Sequence, residues 1–252
     1  MRFQCCSSTL LLCKKEKNPE RPDLFCTPHP DFGTISGMNT TLVWIVGGLL
    51  AYVLGSVPFG FLFAKTQGKD IRTLGSGNIG ATNVFRSVSK TLGLLTFLLD
   101  FLKGLAGVLL VPRIAMLVCG GSFNGAIPEY LDLLCGILTV AGHNWTCFLG
   151  FKGGKGVATS AGMLLGLTPI GVGIAFAVWV VLFVFSRYVS VASIGAALTM
   201  AIVVWPLMRG KPGYPVTPAV LTALAALTIW KHRSNIKRLI NGTENRFNFK
   251  RK

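Results

Sequence analysis

Three short blocks of glycine, asparagine, serine and basic residues separate strongly apolar stretches. They are Gly75-Ser76-Gly77-Asn78-Ile79-Gly80-Ala81-Thr82-Asn83 leading to Arg86, then Gly142-His143 with Phe151-Lys152-Gly153-Gly154-Lys155-Gly156, and last His232-Arg233-Ser234-Asn235-Ile236-Lys237-Arg238-Leu239. Glycines let backbone N–H groups turn toward an anion, and Lys and Arg supply counter-charge, so such loops suit phosphate. Other chemistries are poorly provided for. Past residue 37 the imidazoles are His143 and His232, and the acids are Asp70, Asp100, Glu129, Asp132 and Glu244. No HExxH, no Gly-x-Ser-x-Gly elbow and no paired Asp-x-Asp is present, so neither a metal nor a cofactor is expected. The loop at Lys155 also fails as a P-loop, because Leu149 and Gly156 stand where that pattern needs Gly and Ser or Thr.

Within the blocks, Asn78, Thr82 and Asn83 would be costly in lipid and add little to helix packing, which marks the run from Ser76 as functional. Asp100 and Lys103 stand three apart and can pair on one helix face, either as a structural ion pair or as support for the site. Glu244 is either a surface charge or a brace for the basic tail. Glycine pairs such as Gly47-Gly48 and Gly171 with Gly173 read as helix-packing positions.

These loops need a frame, and composition names it. Hydrophobic residues make up 51% and charged residues 13% of the 252-residue chain, with mean hydropathy +0.58. A soluble domain carries about a quarter charged residues. The expected fold is therefore all-α, a polytopic membrane bundle with the lipid bilayer as its partner. Clear spans run over 41–64, 92–111, 130–149, 189–208 and 216–230, while 157–185 is interrupted by Pro169 and reads as one kinked span or two. Two spans there make about seven in all. That choice puts Lys65, Lys69, Arg72, Arg86, Lys90, Lys152, Lys155, Arg187 and the basic tail on one face, and leaves Arg113, Arg209 and Lys211 opposite. The N-terminus is then outside, the C-terminus and all three blocks cytoplasmic. The net charge of +16 follows from this loop pattern and not from nucleic-acid binding. Residues 1–37, with four of the seven cysteines and no membrane-length span, read as a disordered extension or an upstream start, with Met38 the natural first residue; 38–252 is one membrane domain.

The three blocks, together with Gly55-Ser56, Asp100-Phe101-Leu102-Lys103-Gly104, Arg187-Tyr188-Val189-Ser190 with Ser193, and Gly242-Thr243-Glu244, resemble the bacterial acyl-phosphate:glycerol-3-phosphate acyltransferase family over nearly all of 38–244. The resemblance implies transfer of a fatty acyl group from acyl phosphate to the 1-hydroxyl of glycerol 3-phosphate, in the bacterial inner membrane. It implies that Ser76, Arg86 and Lys155 bind phosphate, within a set comprising Gly77, Asn78, Gly80, Thr82, Asn83, Lys152, Gly153, Gly154 and Gly156, and that Ser193, His232 and Asn235 complete the site. His143, Arg233, Asp100, Lys103 and Glu244 are its supports. A mixed anhydride is already activated, so positioning and oxyanion stabilisation carry the catalysis; His232 is either a general base, as an imidazole with an ordinary value near 6.5 allows, or a donor that positions the hydroxyl while the substrate phosphate takes the proton, and the resemblance favours the second. The competing reading is a transporter of a phosphorylated metabolite. Transporters usually hold their site at the midplane between related halves, whereas these blocks lie at span ends and no repeat is visible.

Overall fold

A computed structural model describes residues 39–247 and the backbone of 2–6, 9–13 and 26–28. Contacts divide the chain into two units, Met1–Asn39 and Thr40–Lys252. In the first, β1 (Arg2–Cys6), β2 (Thr9–Cys13) and β3 (Cys26–Pro28) form an antiparallel sheet in the order β1-β2-β3. Met38 and the rest of the extension lie outside the described residues.

Among the described residues every regular element of the second unit is a helix: α1 (Thr40–Ser56), α2 (Phe59–Thr66), α3 (Ala81–Ser87), α4 (Lys90–Leu109), α5 (Val111–Val118), α6 (Leu131–Asn144), α7 (Val157–Leu167), α8 (Pro169–Ser186), α9 (Val189–Met208), α10 (Val216–Lys231) and α11 (Arg233–Ile240), with single 3₁₀ turns at Ile71–Thr73 and Cys147–Leu149. Among the described residues four stretches are long and apolar enough to cross a membrane: Thr40–Thr66, Lys90–Leu109, Pro169–Ser186 and Val189–Met208; Val157–Leu167 and Val216–Lys231 are apolar but shorter. Proline sets two of the boundaries. Pro58 lacks an N–H and separates α1 from α2, and at this break the Val57 carbonyl accepts from Phe59 N–H at 3.2 Å and from Lys103 Nζ at 2.9 Å. Pro169 opens α8 as its first residue, and Thr168, at φ −150°, turns the chain between α7 and α8, so the 157–185 stretch is two helices.

Contacts give the helix directions. Gly47 lies on Leu131 and Cys135 and Gly55 on Thr139, so α1 runs alongside α6 in the same sense. Gly136 lies on Val108 and Asp100 meets His143, so α4 opposes α6; Gly104 on Thr159 and Gly166 on Val108 align α7 with α4. Gly171 beside Met200 and Gly195 beside Leu182 make α8 and α9 antiparallel. The turn before α10 touches Tyr130, and Lys231 at its end reaches the Asn144 carbonyl at 3.1 Å, so α10 runs with α6. A Cβ at Gly55 or Gly104 would strike the facing helix backbone, which is the close approach small residues permit in membrane bundles. Gly173 departs from the expected packing role: nothing lies within 4 Å of a Cβ placed there, and the residue borders a cavity. The largest apolar core joins α4, α6, α7, α8, α9 and α10 through Val108, Val140, Met163, Met200 and Leu221.

Candidate active site

The loop at 75–80 is shaped from within. Gly75 (φ 56°) and Gly77 (φ 70°) turn left-handed, and the buried Asn83 amide spans the loop: its Oδ1 accepts from Ser76 N–H at 3.1 Å, and its Nδ2 donates to the carbonyls of Leu74 and Asn78, each at 2.9 Å. Asn78 Oδ1 accepts from Gly80 N–H at 2.8 Å. Asn78 and Asn83 thus spend their side chains on the loop, and Ser76 is left exposed at its tip, with Thr82 half-buried on the first turn of α3. Arg86, in the last turn of α3, donates to the Asn245 carbonyl at 3.1 Å and lies over the Phe247 ring, tying the first block to the tail.

The second block rests on a buried charge chain. Asp100 pairs with Lys103 at 2.8 Å, as the three-residue spacing suggests, and with His143 Nδ1 at 3.5 Å. His143 in turn carries the loop: Gly154 N–H donates to its carbonyl at 3.0 Å, and a Cβ at Gly154 would fall onto its Nε2. Gly153 lies equally close against the His143 carbonyl, and Gly156 (φ 77°) caps α7 next to Asn144. Lys152 is exposed, whereas Lys155, three residues on, is partly buried.

Lys155 Nζ donates to Asn235 Oδ1. Asn235 Nδ2 donates to Glu244 Oε1 at 2.6 Å; Ser190 Oγ donates to the same oxygen at 2.8 Å, and Arg238 Nε to Oε2 at 2.7 Å. Burial alone would raise the Glu244 carboxyl, but these donors outweigh it and hold it below its ordinary value. Glu244 is therefore the brace for the tail. Ser190 and Arg238 are members of the cluster that residue type alone did not single out; the signal available was that Glu244 is the last acid of the chain in a run of cations. Burial pushes Lys155 down to about 8, Glu244 opposes the shift, and Arg238, Arg86 and Lys231 add to it. Several cations thus converge on a single carboxylate, an excess that calls for an anion.

His232 is 3% exposed, and its Nδ1 meets the Thr228 carbonyl at 2.8 Å. A carbonyl only accepts, so Nδ1 carries the proton and Nε2 keeps its lone pair. Burial, then Lys155, pushes the ring down to about 4, so it is neutral near pH 7. His232 can therefore position a hydroxyl as an acceptor through Nε2, in place of the donor role expected from the sequence. Arg233 points elsewhere, stacked 4.2 Å over Trp230 and exposed. Ser193 is 3% exposed and accepts from Trp179 Nε1 at 3.3 Å.

Beneath this polar cluster lies an apolar cavity of about 430 Å³ between α4, α7, α8, α9 and α10. Three of its wall residues lead directly to the cluster: Val157, two residues after Lys155; Thr228, whose carbonyl holds His232; and Ser193, one turn from Ser190. Along α7 it reaches Leu165, about 12 Å at 1.5 Å per residue. A second cavity, of about 390 Å³, sits at the other end of α6 beside Glu129 and Asp132 and holds none of the three blocks.

By geometry this is a helical membrane protein in which several cations gather at the mouth of an apolar slot. The chain belongs to the glycerol-3-phosphate acyltransferase family, whose profile matches residues 45–242. The glycerol-3-phosphate acyltransferase of Geotalea daltonii is 44% identical over 210 residues, 83% of this chain and 99% of that one. That of Geobacter metallireducens is 47% identical over 197 residues, 78% and 94% of the two chains. Among solved structures, the glycerol 3-phosphate form of PlsY (YgiH), an integral membrane glycerol 3-phosphate acyltransferase, is similar with TM-score 0.69 and 40% identity, covering 81% of this chain and 96% of that one. The lysophosphatidic acid form gives 0.66 and 39%, over 81% and 95%.

Proposed function

We propose that this protein transfers a fatty acyl group from acyl phosphate to the 1-hydroxyl of glycerol 3-phosphate, giving lysophosphatidic acid and inorganic phosphate. The observation that carries the reading is the junction of the Lys155, His232 and Asn235 cluster with the apolar cavity, which suits one substrate holding both a phosphate and a long chain. Family membership and the glycerol 3-phosphate and lysophosphatidic acid forms of PlsY support the acceptor and the product.

In this scheme Lys155 and Arg86, with Ser76 at its loop tip, hold phosphate, and Asn235 with Glu244 aims Lys155. Neutral His232 accepts the glycerol hydroxyl hydrogen bond through Nε2 and turns the oxygen toward the carbonyl. The glycerol oxygen bonds to the acyl carbon and the bond from that carbon to the phosphate oxygen breaks; as the glycerol oxygen turns positive its proton leaves the hydrogen bond to Nε2 and passes to the departing phosphate. A ring held at about 4 is a weak base, which favours positioning over proton abstraction. Asp100, Lys103 and His143 support the loop from below.

The same reading places the protein in the bacterial inner membrane with seven passes, α1 with α2, then α4, α6, α7, α8, α9 and α10. The alternation of helix direction supports this count, and the basic loops support an outside N-terminus, a cytoplasmic C-terminus and a cytoplasmic site. The working domain begins near residue 38. The test is stoichiometric: purified protein given acyl phosphate and glycerol 3-phosphate should yield lysophosphatidic acid and phosphate one for one, and Lys155→Ala should lower kcat/KM by about ten- to a hundredfold. Turnover unaffected by Lys155→Ala would remove this site from the reaction.

A further inference from the structure

Hydroxyls on the helices mostly satisfy themselves. Thr96, Thr139 and Thr228 each donate to the carbonyl four residues earlier, at 2.7, 2.8 and 2.9 Å. Ser160 does not. Its residue is 7% exposed, and its Oγ has no hydrogen-bond partner among the described residues, while the carbonyl four residues back, on Gly156, takes the Ser160 N–H at 2.7 Å. Ser56 and Thr159 also carry unpartnered hydroxyls, yet of these Ser160 alone lines the apolar cavity. Keeping a hydroxyl dry and unpaired is costly, so its position calls for a partner supplied by the ligand.

The place of Ser160 along the cavity says which ligand atom that is. It sits in the first turn of α7, five residues beyond Lys155, with Val157 above it and Ala161 and Leu164 below on the same wall. The other polar wall residues are Thr228, whose hydroxyl is already used, and Ser193, whose oxygen accepts from Trp179 Nε1 without spending its own proton; Ser160 differs from it in having no partner at all among the described residues. An acyl phosphate with its phosphate at Lys155 and its chain in the cavity has one polar group between the two, the carbonyl oxygen. We propose that Ser160 Oγ–H donates a hydrogen bond to the acyl carbonyl oxygen of the donor substrate, making Ser160 a residue that recognises the acyl donor and steadies the oxyanion as the glycerol oxygen adds. This rests on the acyltransferase reading above. The charge that gathers on the carbonyl oxygen in the transition state makes the bond stronger there than in the ground state.

The experiment compares wild type, Ser160→Ala and Ser160→Cys in purified protein. Ser160→Ala removes a hydroxyl that bonds to nothing in the free protein, so Tm without substrate should stay level or rise. The kcat/KM for acyl phosphate should fall about ten- to a hundredfold, with KM for glycerol 3-phosphate unchanged and the weak-donor Cys variant in between. A second measurement uses two unreactive probes of matched chain length. Inhibition by an acyl phosphonate, which has the carbonyl, should weaken in Ser160→Ala, whereas inhibition by an alkyl phosphate, which lacks it, should not. Unchanged donor kinetics in Ser160→Ala, equal weakening of both probes, or a lowered Tm would each overturn the assignment. Failure of wild type to use acyl phosphate at all would instead sink the parent reading, so the two failures are distinguishable.

Discussion

Glu244→Gln tests how the cluster keeps Lys155 charged. The substitution preserves shape and leaves an oxygen for Ser190 or Arg238, but removes the one negative charge facing Lys155, against which Arg238, Arg86 and Lys231 all act. Lys155 stands at about 8 with Glu244 in place. Losing an opposed charge at this range lowers a Lys pKa by on the order of one unit, about 1.4 kcal/mol, to roughly 7. Phosphate binding needs the protonated amine, so kcat/KM falls as pH rises through this value. At pH 8 about half of the wild-type lysines and about a tenth of the variant's are charged, a deficit of roughly fivefold that closes near pH 6. The assay is kcat/KM for acyl phosphate across pH, since that substrate's phosphate sits at Lys155 and the ratio reports the free enzyme. Arg238 loses its charge partner, but at 30% side-chain exposure this should cost only about 1 kcal/mol. An alkaline limb that stays at pH 8 in Glu244→Gln would refute the electrostatic argument.

Five further outcomes are expected. His232→Ala should lower kcat/KM by about ten- to a hundredfold yet leave the profile between pH 5 and 8 unchanged in shape, and a wild-type acid limb near 6.5 that vanishes in the variant would restore the general base. Because His232 titrates at about 4 when folded and about 6.5 when unfolded, the unfolded chain binds its proton more tightly between these values. Stability present above pH 6.5 should therefore be lost as pH falls toward 4, by up to roughly 3 kcal/mol, and urea midpoints of wild type and His232→Gln across this range would show it. Gly154→Ala should cost more than about a hundredfold in activity, since its Cβ meets the His143 ring; activity within threefold would mean that the loop yields freely. Single cysteines at Asn78, Lys152 and Asn241 should label from the cytoplasmic side and one at Lys211 from outside, and removal of residues 1–37 should leave activity and insertion nearly intact; the counts of labelled vesicles and the activity of the shortened chain decide both.

Residue type carried much of the site. The second and third blocks meet through Lys155 and Asn235, and Arg86 of the first reaches the tail, because each lies at a helix end, where charge and turn residues are legible in an apolar chain. The Asp100–Lys103 pair followed from spacing, and Pro169 marked its own break. Details set by helix rotation and neighbour identity were not legible. Arg233 and Lys155 are both cations in glycine- or asparagine-rich blocks, yet one stacks on Trp230 and the other reaches Asn235, a difference decided by which face of the helix end meets the bundle. The helix α5, eight residues long, hides in the sequence because Val111–Val118 is too short for a span and contains Pro112 and Arg113. The His232 tautomer depends on the Thr228 carbonyl, a backbone group that no side-chain pattern announces. Gly173 reads like any packing glycine until the empty space beside it is seen.

The central claim is that acyl phosphate is the donor used at the Lys155 cluster. The most direct measurement gives purified protein glycerol 3-phosphate with acyl phosphate, or with the same acyl chain as a thioester, and follows lysophosphatidic acid and phosphate together. The expected result is equal release of both products from acyl phosphate, none when either substrate is omitted, and no turnover of the thioester. Product formed from the thioester while acyl phosphate stays intact would contradict it.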